Sequence, residues 1–264
     1  MAGPTTAERR QQKKSGPPRP QRTRRVRLPR SRTLVAVLAL GALLGAGGLW
    51  ALYGSQWLRL ERVTTSGTRV LTPEEVREAA GAPVGEPLIS VDTEAIEDRL
   101  RSKLPRIDSV DVVRSWPHGI GLEVTERKPV LLLEKGGKFV EVDAEGVRFA
   151  TVERAPKGVP ELELALDRES GAASLRRFGT DRLLREAVRV AGDLPEAVAR
   201  DTRSLKVRSY DSISLELSGE RTVDWGSAEK GRSKATTLIA LMKAAPKARH
   251  FDVSVPTAPA SAGS

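Results

Sequence analysis

The sequence predicts an α+β chain. One membrane-spanning helix comes first, then a βααββ domain, then a β-rich α+β second domain with a C-terminal edge strand. Three observations predict this. Residues 33–53 carry no charge. The next stretch interleaves two capped helical runs with three runs of period two. The last part of the chain returns to period-two runs separated by glycine and proline. The organisation follows as a disordered basic tail at 1–32, a membrane helix at 33–53, a juxtamembrane link at 54–59, the βααββ domain at 60–129, the β domain at 130–255 and a flexible tail at 256–264.

The apolar stretch reads TLVAVLALGALLGAGGLWALY. At ~1.5 Å per residue a helix of this length reaches ~30 Å, the thickness of a bilayer's hydrocarbon core. Trp50 and Tyr53 stand at its far end, where aromatic rings favour the membrane interface. A cleaved signal peptide has a shorter apolar core of ~7–15 residues, although Gly45, Ala46, Gly47 and Gly48 imitate a cleavage region. A buried soluble helix would show a polar face, and none exists here.

Charge orients the helix. Residues 1–32 hold eleven Lys/Arg and one acid, Glu8, a net charge of +10 that equals the net charge of the whole chain. The rest is neutral. Basic residues beside a membrane helix stay in the cytoplasm, so the N-terminus is expected inside and the two domains outside. A basic tail also suits nucleic acid, but this one has no aromatic residue for base stacking and no helical period. Contact with anionic membrane lipid is the expectation, and no nucleic acid is expected. The chain has no cysteine, which excludes disulfides and cysteine metal sites.

Beyond the link, residues 60–65 read as a first strand, broken at Ser66, Gly67 and Thr68. Thr72, Pro73 and Glu75 form a helix start: an N-cap, a proline at the first helical position and a capping-box acid. Val76, Ala79 and Ala80 face inward, and Gly81 stops the helix. Asp92 caps a second helix bearing Ile96, Leu100 and Leu104, ended by Pro105. Val110, Val112 and Arg114 alternate along the next strand. Trp116, Pro117, His118 and Gly119 turn the chain, with Trp116 filling the hairpin end. Ile120, Leu122 and Val124 form a period-two face.

These residues carry a resemblance. A βααββ unit directly after a single membrane helix looks like a POTRA domain. The runs VTTSG at 63–67, PRI at 105–107, VVRSWP at 112–117 and VTERKPV at 124–130 resemble the FtsQ (DivIB) family of bacterial division proteins. In the β domain the matching pieces are VDAEG at 142–146, Trp225 with Gly226 before a basic helix, and DVSVP at 252–256.

The β domain itself reads as a hairpin about Gly136 and Gly137, then a turn over residues 143–146 leading into residues 147–150. Residues 157–162 read as a loop between Pro156 and Pro160. Asp181 is expected to cap a helix carrying Leu184, Val188 and Ala191. Residues 205–208, 213–217 and 222–225 form a meander. A helix over 227–245 carries Leu238, Ile239 and Met242, and residues 251–255 form the last strand.

Little in the chain suggests catalysis, and no catalytic, cofactor-binding or metal site is expected. His118 and His250 are separated between the two domains. No phosphate-binding glycine motif occurs. Ser227 and Lys230 fit S-x-x-K, yet S-D-N and K-T-G partners are absent, and Ser227 as a helix N-cap explains the match. Asp143 and Glu145 read as solvated turn residues. The resemblance implies a non-enzymatic single-pass scaffold of the divisome, enriched at the septum, that recruits the FtsB–FtsL pair. It also implies contact through the last strand, so Phe251, Asp252, Val253, Ser254 and Val255 are the candidate partner-binding residues. Phe251, Val253 and Val255 should face the core, with Asp252 and Ser254 more exposed. Two other classes compete with this reading. A transport or assembly factor of POTRA type would need a long barrel, and a membrane-anchored cell-wall enzyme would need an acid–base constellation.

Overall fold

The structure is a computed structural model that describes residues 31–165 and 169–263. The tail expectation for residues 1–30 lies outside the described residues. Helix α1 spans Ser31–Tyr53. Its segment Arg32–Tyr53 is long and apolar enough to cross a membrane. Residues 32–50 are exposed on every side, whereas the core helix of a soluble protein would bury most of its surface.

The βααββ domain follows. Strand β1 is Arg62–Ser66, helix α2 is Pro73–Ala80, helix α3 is Thr93–Lys103, and strands β2 and β3 are Ile107–Ser115 and Gly119–Glu126. β3 lies in the middle of the sheet, parallel to β1 and antiparallel to β2. Thr72 caps α2 as expected: its hydroxyl accepts from the Glu75 N–H at 3.2 Å, and the Glu75 carboxylate accepts from the Thr72 N–H at 2.8 Å. Gly81 ends the helix in the left-handed region, φ 53°. Asp92 caps α3 by accepting from the Ala95 N–H at 3.0 Å. Val76, Ile96 and Leu100 bury against Val110, Ile120 and Leu122 in one core. α3 also covers the outer edge of β2, where Glu97 accepts from the Val112 N–H at 3.0 Å. Trp116 departs from expectation. Its peptide bond to Pro117 is cis, and its ring is 48% exposed instead of filling the hairpin end.

After β1 the chain makes a close approach. Gly67 sits at φ 84°, and a Cβ there would lie 2.0 Å from the Val124 carbonyl oxygen. Only glycine lets the loop pass over β3. The Glu126 carboxylate then collects the N–H groups of Arg69, Val70 and Leu71 at 2.7, 3.1 and 3.0 Å.

The β domain is one nine-stranded sheet. Its strands are β4 Leu131–Lys135, β5 Lys138–Val142, β6 Arg148–Val152, β7 Glu161–Leu164, β8 Thr202–Ser209, β9 Ser212–Leu217, β10 Arg221–Gly226, β11 His250–Asp252 and β12 Ala260–Ala262. The spatial order is β12-β11-β10-β9-β8-β7-β4-β5-β6. Helices α4 Glu169–Phe178, α5 Thr180–Asp193, α6 Glu196–Asp201 and α7 Gly231–Ala244 complete the domain. Leu184 and Val188 of α5 and Leu238 of α7 pack on Leu205, Leu215, Val223 and Trp225.

Several local expectations need correction. The 157–162 loop contains the start of β7, which pairs in parallel with both β4 and β8. Asp181 is not a cap. Gly179 occupies that position, and Asp181 sits in the first turn of α5, paired with Arg148 at 3.0 Å. Ile239 is exposed while Leu238 is buried.

The junction between the domains overturns the reading of Asp143. Its side chain is buried, and Arg127 reaches it at 2.5 Å. The other carboxyl oxygen accepts from the N–H groups of Glu145 and Val147 at 3.0 and 2.7 Å. Glu145 stays exposed. Beside this pair, Arg106 meets the buried Glu141 at 2.5 Å and lies over the Phe149 ring at 5.2 Å. The Arg127 N–H donates to the Arg106 carbonyl at 2.9 Å, which ties the two arginines together.

Two outcomes check this fold. Leu100→Ala should cost ~2–5 kcal/mol in denaturant melts, because Leu100 is fully buried in the βααββ core. The second concerns pH. The Thr72 N–H, and then its hydroxyl, hold the Glu75 carboxyl below its ordinary value of 4.5. A depressed folded value means the unfolded chain binds the proton first, so this contribution is complete above 4.5 and fades as pH falls through the lower folded value. The difference in denaturation midpoint between wild type and Glu75→Gln should therefore shrink between neutral pH and about pH 3.

Candidate partner interface

The sequence places the candidate site at residues 251–255, as a strand with one free edge. The structure divides that segment. Only His250–Asp252 is strand, and it is the second strand of the sheet, not the outermost. On one side β11 runs parallel to β10, with Phe251 beside Val223 and Asp252 beside Asp224. On the other side β12 pairs antiparallel to it, with Phe251 opposite Ser261. The tail read as flexible thus supplies the terminal strand. Its side chains are exposed, and its outer edge has no strand beside it among the described residues.

The faces of the five candidates are nearly as expected. Phe251 and Val253 are buried in the β-domain core, and Asp252 and Ser254 are half-buried. Val255 is the exception and is exposed. The strand has already ended there. Asp252 accepts from both the N–H and the hydroxyl of Ser254, at 2.9 and 2.7 Å, and so folds the chain back on itself. The Val253 N–H still donates to the Asp224 carbonyl at 2.9 Å.

β11 stands on a firm base. The His250 ring is held from both nitrogens, with Nδ1 2.9 Å from the Thr222 hydroxyl and Nε2 3.4 Å from Asp224. Gly226 approaches Ser254 so closely, at φ 77°, that a Cβ would lie 3.0 Å from the Ser254 Cβ. Behind β10, Lys234 of α7 is almost fully buried. Its ammonium donates to the carbonyls of Trp225 and Ser227 at 2.9 and 2.7 Å. Burial pushes its pKa down, opposed by the nearby charges of Glu229 and Asp252. A buried cation that satisfies two carbonyls clamps the end of β10 to the helix.

This clamp also revises the S-x-x-K reading. Ser227 does not cap α7, which begins at Gly231 after a left-handed Lys230 at φ 56°. The Ser227 hydroxyl accepts a long bond of 3.4 Å from the Glu229 N–H. The lysine that meets residue 227 is Lys234, through the backbone. Among the described residues no group of three or more His, Cys, Asp or Glu could hold a metal ion.

A relative from Streptomyces collinus, named cell division protein FtsQ, is 71% identical to this chain over 267 residues, covering 100% of both. The chain belongs to the FtsQ family of cell division proteins. A Streptomyces coelicolor relative of the same name is 70% identical over 268 residues and again covers 100% of both chains. A family model described as "POTRA domain, FtsQ-type" matches residues 58–127, the βααββ unit. The major extracytoplasmic domain of the division protein DivIB from Geobacillus stearothermophilus is 16% identical, covering 46% of this chain and 94% of that one, with a TM-score of 0.32.

The family motifs can now be read as mechanics. In the run at 124–130, Val124 fills the POTRA core, Glu126 gathers the loop at 69–71, and Arg127 pairs with Asp143 across the junction. In the run at 112–117, Arg114 donates to the carbonyls of Leu88 and Val91 at 3.3 and 2.6 Å.

The clamp behind the edge is testable. Lys234→Met should destabilise the chain by ~1–3 kcal/mol, because it leaves two carbonyls at the end of β10 without a donor. Urea melts followed by circular dichroism read this directly. No loss of stability would show that the clamp contributes nothing.

Proposed function

We propose that this chain is a non-enzymatic, single-pass membrane scaffold of the division complex, and that it holds the FtsB–FtsL pair through the C-terminal edge of its β domain. Family membership supports the division role. The uncharged helix supports the anchor. The excess positive charge before that helix supports a cytoplasmic N-terminus, with the POTRA and β domains outside. The division role supports concentration at the septum.

One observation carries the choice of surface: the sheet ends in β12, whose outer backbone groups face no other strand among the described residues. An incoming extended segment gains main-chain hydrogen bonds there without disturbing the core. The candidates Phe251, Asp252, Val253, Ser254 and Val255 then act one strand behind the contact. Phe251 and Val253 anchor β11 in the core, and β11 presents β12.

Proline at Ser261, whose N–H points away from β11 because His250 and Asp252 pair with Ala262 and Ala260, removes the outward donor and fixes φ, so it should cut FtsB–FtsL capture by the full-length chain by roughly tenfold or more. Its melting curve should stay near wild type, since no side chain of β12 is buried. Deletion of residues 257–264 should have the same effect. A folded deletion variant that captures the pair at full strength would eliminate this edge.

A further inference from the structure

The POTRA domain has two ends of different character. At one end, where β1 and β3 finish, lie Arg106 and Arg127 and the buried ion pairs of the junction. The other end is where the chain enters. There residues 59–62 run between two loops. The Leu60 N–H donates to the Glu86 carbonyl at 2.8 Å, and the Gly85 N–H donates back to the Leu60 carbonyl at 2.8 Å. On the opposite side, the Glu61 N–H donates to the His118 carbonyl at 2.9 Å. The loop at 83–87 and the turn at 116–119 therefore flank the entering chain.

Each of the three segments at this end exposes an apolar side chain. Trp57 is 70% exposed, Val84 64% and Trp116 48%. Trp57 sits in a short 3₁₀ turn, Gln56–Leu58, capped by Ser55. Trp116 stands in the turn between β2 and β3. Both indoles lie outside the POTRA core, and tryptophan is an expensive residue to leave in water. Charge does not explain the surface, because Arg59 and Arg62 are matched there by Glu61 and Glu86.

The chain's own length names the occupant. Only six residues, 54–59, separate Tyr53 from Leu60. Even fully extended they span no more than ~20 Å. We propose that this end of the POTRA domain seats in the headgroup region of the bilayer that holds residues 33–53, with Trp57, Val84 and Trp116 entering the lipid interface. Indole rings favour that layer, where the apolar body meets lipid and the N–H meets water. The domain is then held by two attachments to the membrane, the helix and this apolar end, and its junction end points away from the lipid. The inference rests on the anchoring of residues 33–53 proposed above.

The chain lacks cysteine, so single cysteines can carry a nitroxide label on the full-length protein. Four positions serve: Ser115→Cys beside Trp116, Val84→Cys, Lys135→Cys on the β4–β5 hairpin, and Leu44→Cys in the apolar helix. The protein is placed in nanodiscs of phosphatidylethanolamine and phosphatidylglycerol. Collision with oxygen, which concentrates in lipid, is compared with collision with a water-soluble nickel chelate. Labels at positions 115 and 84 should favour oxygen several-fold over the label at 135. Trp57→Ser with Trp116→Ser should return the label at 115 to the pattern seen at 135. If the labels at 115 and 84 match the one at 135 while that at 44 reports lipid, the seating is wrong and the anchor stands. If the label at 44 also reports water, the anchor reading itself fails and takes the seating with it. A lipid signal at 115 that survives the double substitution would overturn the role given to the tryptophans.

Discussion

Everything outside α1 is organised about the buried pairing of Arg127 with Asp143, reinforced by Arg106 with Glu141. Burying an ion pair yields little net stability, since desolvation offsets most of the attraction. Losing one partner is costly, because it strands the other charge in a medium that cannot solvate it. Such pairs therefore act less as glue than as a condition: the two domains can meet in one arrangement, and slipping out of it exposes unpaired charge. The arginines stand at the start of β2 and the end of β3, while the acids stand at the end of β5 and just after it. The two arginines thus tie the end of one sheet to the end of a strand in the other.

That arrangement carries outward. The same stretch of β3 places Glu126 under the loop that passes over Gly67, so the core of the POTRA domain and its junction share one strand end. On the far side, the nine-stranded sheet transmits order from β5 through to β12, and Lys234 fixes β10, the strand on which β11 and β12 are laid. The terminal strand is held only by backbone bonds, yet its position is inherited from elements packed well inside the domain.

The POTRA unit is legible in the sequence because its signals are local. Capping boxes, helical periods and alternation within one strand all lie inside windows of a dozen residues, and Thr72, Asp92 and Ile120 behave as their neighbours dictate. The β domain is less legible because its decisive contacts are long-range. Asp143 looks like any turn acid until Arg127 is brought across to it. β7 is short and hemmed by prolines, and only its two parallel neighbours make it a strand. Asp181 offers a cap, but the backbone turns earlier, at Gly179. The free edge of the sheet is β12, one strand out from the candidate strand at 251–255. Ala260, Ser261 and Ala262 carry no hydrophobic alternation, so nothing in their side chains announces a strand.

The poverty of that terminal strand has a consequence of its own. A free sheet edge invites its own kind. Two β12 strands laid against each other would share a ladder only three residues long. They would have no large side chains to interlock, and Pro256 and Pro259 would block extension on one side. Such self-pairing gains too little to persist. On the proposed reading, a guest strand gains only where its own side chains find contacts beyond this three-residue ladder. An edge this spare can stay vacant among identical neighbours.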